Sequence, residues 1–462
     1  MIAAAPTAPT APTSTGEPAG ELQPPKYMRK PALPAITGLR TLLAITIILF
    51  HFTPSGLTWS SHPSITLYPL INIGYVFVSF FFLISGFILA YNYAGRPEPM
   101  NAVDFWVARF SRLYPVYALT MVISIPMLMG EWAIRSRTEF WMGAIATPLL
   151  MQGFFPHLAT FWMTVTWTLS CEVMLYIAFP WLLKLPWPRS TGKLLALAIF
   201  FWVVGLIPHS IYVLRDPDHF GHAADRYNDG LWINTLKYTP LPYLCTFLAG
   251  LTLGQLQAAA RLTARARVFI GTLGFLGVWF AAYHLSEAMP YIMVHGGLLT
   301  PLFAAIILGL SGPSILAKLF SWQPLVEVGS STYALYLLHF NVYLLLHRFN
   351  VWDKLHLVRL DPWISYVFVI LLAVAVRKWV EHPAQQAIGM MPQEGARPRL
   401  ILIYRTYSPP QQEYVATFVL AWDAAKGTFV VDPKATDYVN NGPDEGKMTV
   451  AGARAALARQ GR

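Results

Sequence analysis

Of the 462 residues, 55% are hydrophobic and only 12% are charged, about half the charged share of an ordinary soluble domain. This composition excludes a disordered chain, a collagen-like chain and a disulfide-rich secreted scaffold, and points to a polytopic membrane protein. The 33 Lys+Arg against 23 Asp+Glu leave a formal charge of +10. Spread over so much apolar sequence, that excess suits anionic lipid better than nucleic acid, so no nucleic-acid partner is expected.

In chain order, residues 1–34 are rich in Pro, Ala and Thr and lack an apolar run, which reads as a disordered tail. A basic segment followed directly by an apolar one is missing, so a signal peptide is not expected. A membrane span needs about 20 mostly apolar residues. Ten stretches qualify: 36–54, 68–93, 113–130, 160–183, 194–213, 238–256, 268–285, 296–312, 330–347 and 361–380. The stretch 141–155 is apolar but short and reads as an interfacial or re-entrant segment.

The fold class expected is therefore an all-α polytopic protein of about ten transmembrane helices over residues 35–384. With the N-terminus inside, the inner loops hold fifteen Lys and Arg and the outer loops eight. That bias favours a cytoplasmic N-terminus, and ten spans then return the C-terminus to the cytoplasm. Past Pro383 the composition turns soluble. Residues 399–407, 414–422 and 428–431 read as short strands and 449–460 as an Ala-rich helix. Residues 385–462 are thus expected as a small α+β cytoplasmic appendage. Cys171 and Cys245 sit in apolar runs and are expected as free thiols.

Ionisable groups inside spans are expensive and so are functional candidates by default. Arg40 and His51 share the first span, three turns and about 16 Å apart on nearly one face. Two readings fit them: a functional pair, or an arginine snorkelling to the interface above a packed histidine. Arg109 and Arg112 stand at i and i+3 before the third span. Two guanidinium forks so spaced suit phosphate groups, although flanking positive charge gives the same pattern. Glu172 lies mid-span, where a carboxylate should pair with a cation or take up a proton; Arg40 and His51 are its candidate partners. His339 in the ninth span, and Glu381 with His382 and Pro383 closing the tenth, are weaker signals, and a helix-end Glu-His pair is more often structural. No Cys/His cluster offers a metal site, and no metal is expected.

Gly38-Leu39-Arg40 running to Phe50-His51-Phe52 resembles the opening Arg-x10-His signature of the membrane acyltransferase 3 family. Five further motifs follow in register. Phe81-Phe82-Leu83-Ile84-Ser85-Gly86-Phe87 resembles its second-span motif, and Arg109-Phe110-Ser111-Arg112-Leu113-Tyr114-Pro115 its Arg-x-x-Arg-x-x-Pro motif. Trp167-Thr168-Leu169-Ser170-Cys171-Glu172 resembles its Trp-Ser-Leu-Ser-x-Glu block. Ser331-Thr332-Tyr333 running to Tyr336 and His339 resembles a late motif, and Trp379-x-Glu381-x-Pro383 the terminal one. The resemblance covers about residues 36–384. Val173 departs from it, since a second acidic residue often follows the Glu. No Gly-Asp-Ser motif appears in the tail, so the fused esterase-like domain of many members is not expected here.

The resemblance implies an integral membrane enzyme of the bacterial cytoplasmic membrane. It would move an acyl group, most often acetyl, from cytoplasmic acyl-CoA to a hydroxyl of a carbohydrate or other extracytoplasmic acceptor. His51 would serve as general base or transient acyl carrier. Arg40 would orient the thioester or stabilise oxyanion charge, and Glu172 would hold a cationic partner in place. Arg109 and Arg112 would grip the CoA phosphates; Ser85, Trp167, Tyr333 and His339 belong to the remaining motifs. Two rivals from other classes are a proton-coupled transporter or flippase relaying through His51 and Glu172, and a polysaccharide polymerase using a lipid-linked sugar.

Overall fold

Apolar runs too long for strands wind into helices because a chain in lipid has to satisfy its backbone hydrogen bonds internally. The structure, a computed structural model, describes residues 31–52, 68–95, 100–221, 225, 227–259, 262–285 and 288–381, and the backbone of four strands beyond them. Eight helices frame the argument: α1 (Pro34–Phe52), α2 (Phe77–Tyr93), α3 (Ala102–Ile123), α4 (Ile125–Ile134), α5 (Trp167–Leu183), α6 (Pro240–Ala259), α7 (Thr332–Arg348) and α8 (Trp363–Val376).

Among the described residues, six helices are long and apolar enough to cross a membrane: Pro34–Phe52, Gly74–Tyr93, Thr191–Arg215, Ala264–His284, Tyr291–Leu310 and Trp363–Glu381. Helices α3 and α4, bent by 63° at Ser124, make a seventh if they count as one span. The chain is a multi-pass membrane protein. The other expected spans correspond to shorter or more polar helices: α5 has 17 residues, α6 has 20 and α7 has 17.

Two expected spans differ in detail. The third begins earlier, at Ala102, where the Asn101 side chain accepts from the amides of Val103 (2.9 Å) and Asp104 (3.4 Å) and caps the helix. It also ends earlier, because Pro126 opens a new helix after Ser124. The Ser124 carbonyl at the break accepts from Trp162 Nε1 at 3.0 Å, and its hydroxyl accepts from Asn341 Nδ2 at 2.7 Å.

The expected fourth span, 160–183, is helical only from Trp167. Trp162 has a positive φ of 61°, outside helical space for an L-residue. Side chains satisfy the turns ahead of it: Gln152 Nε2 donates to the Thr166 carbonyl at 3.0 Å, and the Gly153 amide to Ser170 Oγ at 3.1 Å. The apolar stretch 141–155 is the end of helix Arg137–Ala146 followed by turns and a short 3-10 helix, Gln152–Phe154.

Beyond the helices, strands β1 (Ile388–Met391), β2 (Arg399–Ser408), β3 (Gln412–Asp423) and β4 (Thr428–Val431) pair antiparallel in the order β1-β2-β3-β4. Ser408 lies opposite Gln412 and Asp423 opposite Thr428. The strand expectations at 399–407, 414–422 and 428–431 fall on β2, β3 and β4, while the expected helix at 449–460 and residues 1–30 of the tail expected over 1–34 lie outside the described residues; Pro34, the last residue of that expected tail, already opens α1.

Small residues bring helices into close contact at the centre. A Cβ on Gly86 of α2 would stand 2.2 Å from the Phe247 carbonyl of α6, and one on Gly250 would stand 2.2 Å from the Leu83 carbonyl. These helices touch backbone to backbone, as membrane helices do where side chains are absent. Ile36, Leu39, Leu43 and Ile47 of α1 belong to one buried apolar cluster, which also holds residues of α2, while Ala44, Ile48 and Phe52 belong to a second, which also holds residues of α3, α7 and α8.

Candidate active site

Helices α1, α2, α3, α5 and α7 converge on an open cavity of about 150 Å³. Arg40, Ser85, Arg109, Arg112, Glu172 and Tyr333, brought in from five separate stretches of sequence, all line it. Its apolar wall includes Val78, Phe81, Phe82, Ile88 and Leu113.

Each charged group has its own support. The Arg40 guanidinium lies 5.9 Å from the centre of the Phe81 ring. Arg109 lies over the rings of Phe105 (5.3 Å) and Tyr176 (5.4 Å), an aromatic seat suited to a flat cation. Arg112 Nε pairs with Glu381 Oε1 at 3.5 Å, and the carboxylate side of this pair is only 3% exposed against 35% for the arginine. Glu172 meets hydroxyls directly: Ser85 Oγ donates to its Oε1 at 3.5 Å, and the Tyr176 hydroxyl donates to the same oxygen. Tyr176 sits one turn beyond Glu172 on α5, a spacing that puts both on one face.

Aromatic hydroxyls fix the frame around the cavity. Tyr333 donates to the Leu113 carbonyl at 2.6 Å and ties α7 to α3. Tyr336 donates to the Val165 carbonyl at 2.8 Å and accepts from Thr168 Oγ1 at 3.1 Å. Trp106 Nε1 donates to the Tyr176 carbonyl at 3.1 Å and ties α3 to α5. Trp167 does not line the cavity; its ring packs against Tyr238 (5.3 Å) and Tyr243 (5.6 Å).

The two candidate histidines stand together, next to the cavity and not in its lining. The rings of His51 and His339 have centroids 5.3 Å apart, within a cluster that includes Phe50, Phe52 and Phe340. Tyr336, which does line the cavity, lies 5.7 Å from the His339 ring. The array therefore joins three guanidiniums and a hydroxyl-bound carboxylate to a pair of imidazoles through one tyrosine.

Comparison with known proteins resolves the class. The family described as an acyltransferase domain matches residues 33–376, about three quarters of the chain. The chain belongs to this acyltransferase family. Acyltransferase MdmB of Streptomyces mycarofaciens is 25% identical over 336 residues, covering 70% of this chain and 82% of its own length. The peptidoglycan O-acetyltransferase OatA of Listeria monocytogenes is 24% identical over 338 residues, 69% of this chain and 50% of its own. A putative O-acetyltransferase of Staphylococcus aureus (strain COL) is 24% identical over 346 residues, 71% and 53% respectively. The chain thus spans about half the length of those last two relatives. No solved structure matches it.

Three residues of this candidate site receive no role from the sequence. Tyr176 carries a usable signal, since it lies four residues from Glu172. Glu381 is visible as an ionisable group, but its pairing with Arg112 joins positions far apart in the chain. Tyr336 falls inside a motif that gives it no role, and only packing sets it between the cavity and His339. Among the described residues, no group of three His, Cys, Asp or Glu side chains converges as a metal site would require.

Proposed function

We propose that this acyltransferase moves an acetyl or similar acyl group from cytoplasmic acyl-CoA to a hydroxyl on a carbohydrate or other extracytoplasmic acceptor. In this reading about ten helices cross the bacterial cytoplasmic membrane, with both termini inside. The observation that carries it is the shared cavity of Arg40, Arg109, Arg112 and Glu172, with an imidazole pair behind Tyr336. The roles follow from the chemistry of the groups.

Arg109 and Arg112 are the forks available to phosphate oxygens of the donor, and the apolar wall of Val78, Phe81 and Ile88 suits its uncharged arm. His51 takes the proton of the acceptor hydroxyl as the oxygen attacks the thioester carbonyl carbon. The C–S bond then breaks, and the thiolate leaves with the proton that His51 returns. Arg40 balances the negative charge that develops on the carbonyl oxygen. Glu172, held by Ser85 and Tyr176, offsets the arginine charge within the cavity. The acyl end has to pass Tyr336 to reach His51. The named activity of the Listeria relative supports a cell-envelope carbohydrate as the acceptor.

The test is thiol release from acetyl-CoA by the purified chain in lipid nanodiscs. Wild type should release thiol, and His51→Ala should fall below a tenth of that rate at equal abundance. A wild-type protein that releases none, or a His51→Ala variant that keeps its rate, overturns the reading.

A further inference from the structure

The late-motif histidine has no assigned task, and its hydrogen bonding is unusual for a buried side chain. His339 is 1% exposed. Its Nδ1 lies 2.6 Å from the Tyr336 carbonyl, which can only accept, so Nδ1 carries the hydrogen. In a neutral ring that leaves Nε2 with a lone pair and no hydrogen. Among the described residues, Nε2 has no hydrogen-bond partner. Buried polar atoms are nearly always paired, so an orphaned acceptor at a reaction site calls for an explanation.

The neighbours of the ring narrow the choice. Around His339 stand Phe52, Phe340 and Tyr336, and the other imidazole present is that of His51, 5.3 Å away between centroids and tilted by 41°. The Tyr336 hydroxyl is already committed to Val165 and Thr168. Phenylalanine rings offer no N–H or O–H. Of the described rings around His339, only that of His51 can supply a strong donor.

We infer that His339 is a positioning residue for His51. A rotation of the His51 ring within this cluster brings its N–H onto the Nε2 lone pair of His339 and turns the other nitrogen of His51 toward the acceptor hydroxyl. When His51 takes up the hydroxyl proton it becomes an imidazolium with two N–H groups, and His339 Nε2 shares the inner one. The proton from the hydroxyl stays on His51 until the thiolate removes it, so His339 is neither oxidised, acylated nor protonated. This is the work of a triad acid performed by a neutral base whose tautomer a backbone carbonyl fixes. A neutral partner suits the apolar surroundings, where a second carboxylate would be costly to bury. The inference rests on His51 being the base.

The experiment compares wild type, His51→Ala, His339→Leu and His339→Gln in nanodiscs. Thiol release from acetyl-CoA is measured with water or chitotetraose as probe acceptor, and acetyl-CoA affinity is measured by direct titration. Gln keeps an acceptor oxygen near the Nε2 position, whereas Leu keeps only bulk. Expected is a fall in kcat of about a hundredfold for His339→Leu, the scale of one acid–base contribution. Donor KM and titrated affinity should stay within twofold, and His339→Gln should recover at least tenfold of the loss. The inference is overturned if His339→Leu keeps a third or more of wild-type kcat while His51→Ala is inactive, an outcome that leaves His51 as the base. It is equally overturned if Gln and Leu variants are alike, since bulk alone would then explain the site. Retained activity in His51→Ala overturns the functional reading itself.

Discussion

At the scale of single residues, the two arginines of α3 differ in what else they do. Arg109 rests on aromatic faces, which need no charge of their own. Arg112 also neutralises a buried carboxylate, Glu381. A bidentate charged contact to phosphate is worth about 1.5–3 kcal/mol, or roughly ten- to a hundredfold in affinity. Arg109→Ala and Arg112→Ala are both expected to lose that much acetyl-CoA affinity by direct titration. Arg112→Ala should in addition lower the melting temperature in detergent, because it takes a cation away from the buried Glu381 carboxylate, and Glu381→Gln in the same chain should restore part of that loss. Unchanged affinity in both single variants would return these residues to flanking charge.

At the scale of elements, the contact between α2 and α6 sets where Ser85 can meet Glu172. Gly86 follows Ser85 directly, and a methyl group there has no room against the Phe247 carbonyl. Gly86→Ala is therefore expected to destabilise the protein by about 1–3 kcal/mol, the usual cost of overpacking, and to lower thiol release along with it. Gly192, near the start of helix Thr191–Arg215, stands in the open, and a methyl group added there would meet nothing within 4 Å. Gly192→Ala should be neutral or stabilising by about a few tenths of a kcal/mol. Thermal unfolding of the two variants side by side checks the contrast, and equal melting points would mean that the glycine contact does not hold α2 in place.

At the scale of the whole molecule, the family match ends at residue 376 and every cavity-lining residue lies between Arg40 and Tyr336. Removal of residues 390–462 is expected to leave membrane insertion and thiol release intact, because helices complete their backbone hydrogen bonds without a soluble partner. A truncated chain that inserts at full abundance yet releases no thiol would make the strands part of the active site.

Ionisable residues stand out in apolar sequence because burying them costs so much, which is why Arg40 and Glu172 are legible without any knowledge of the fold, while Arg109 and Arg112 are legible from their i, i+3 spacing. Helical class follows from run length by the same solvent argument. What the sequence could not supply was register between helices. Whether Glu172 meets a guanidinium or a hydroxyl depends on how α2 and α5 are rotated, and the answer is Ser85 and Tyr176. The start of α5 is equally hidden, because the residues before Trp167 are as apolar as the helix and only a positive φ and side-chain hydrogen bonds turn them aside. His51 and His339 lie 288 positions apart in the chain. Only the packing of α1 against α7 decided that the two rings share one apolar cluster, since side-chain contact between distant segments is a property of the packed helices and not of either sequence alone.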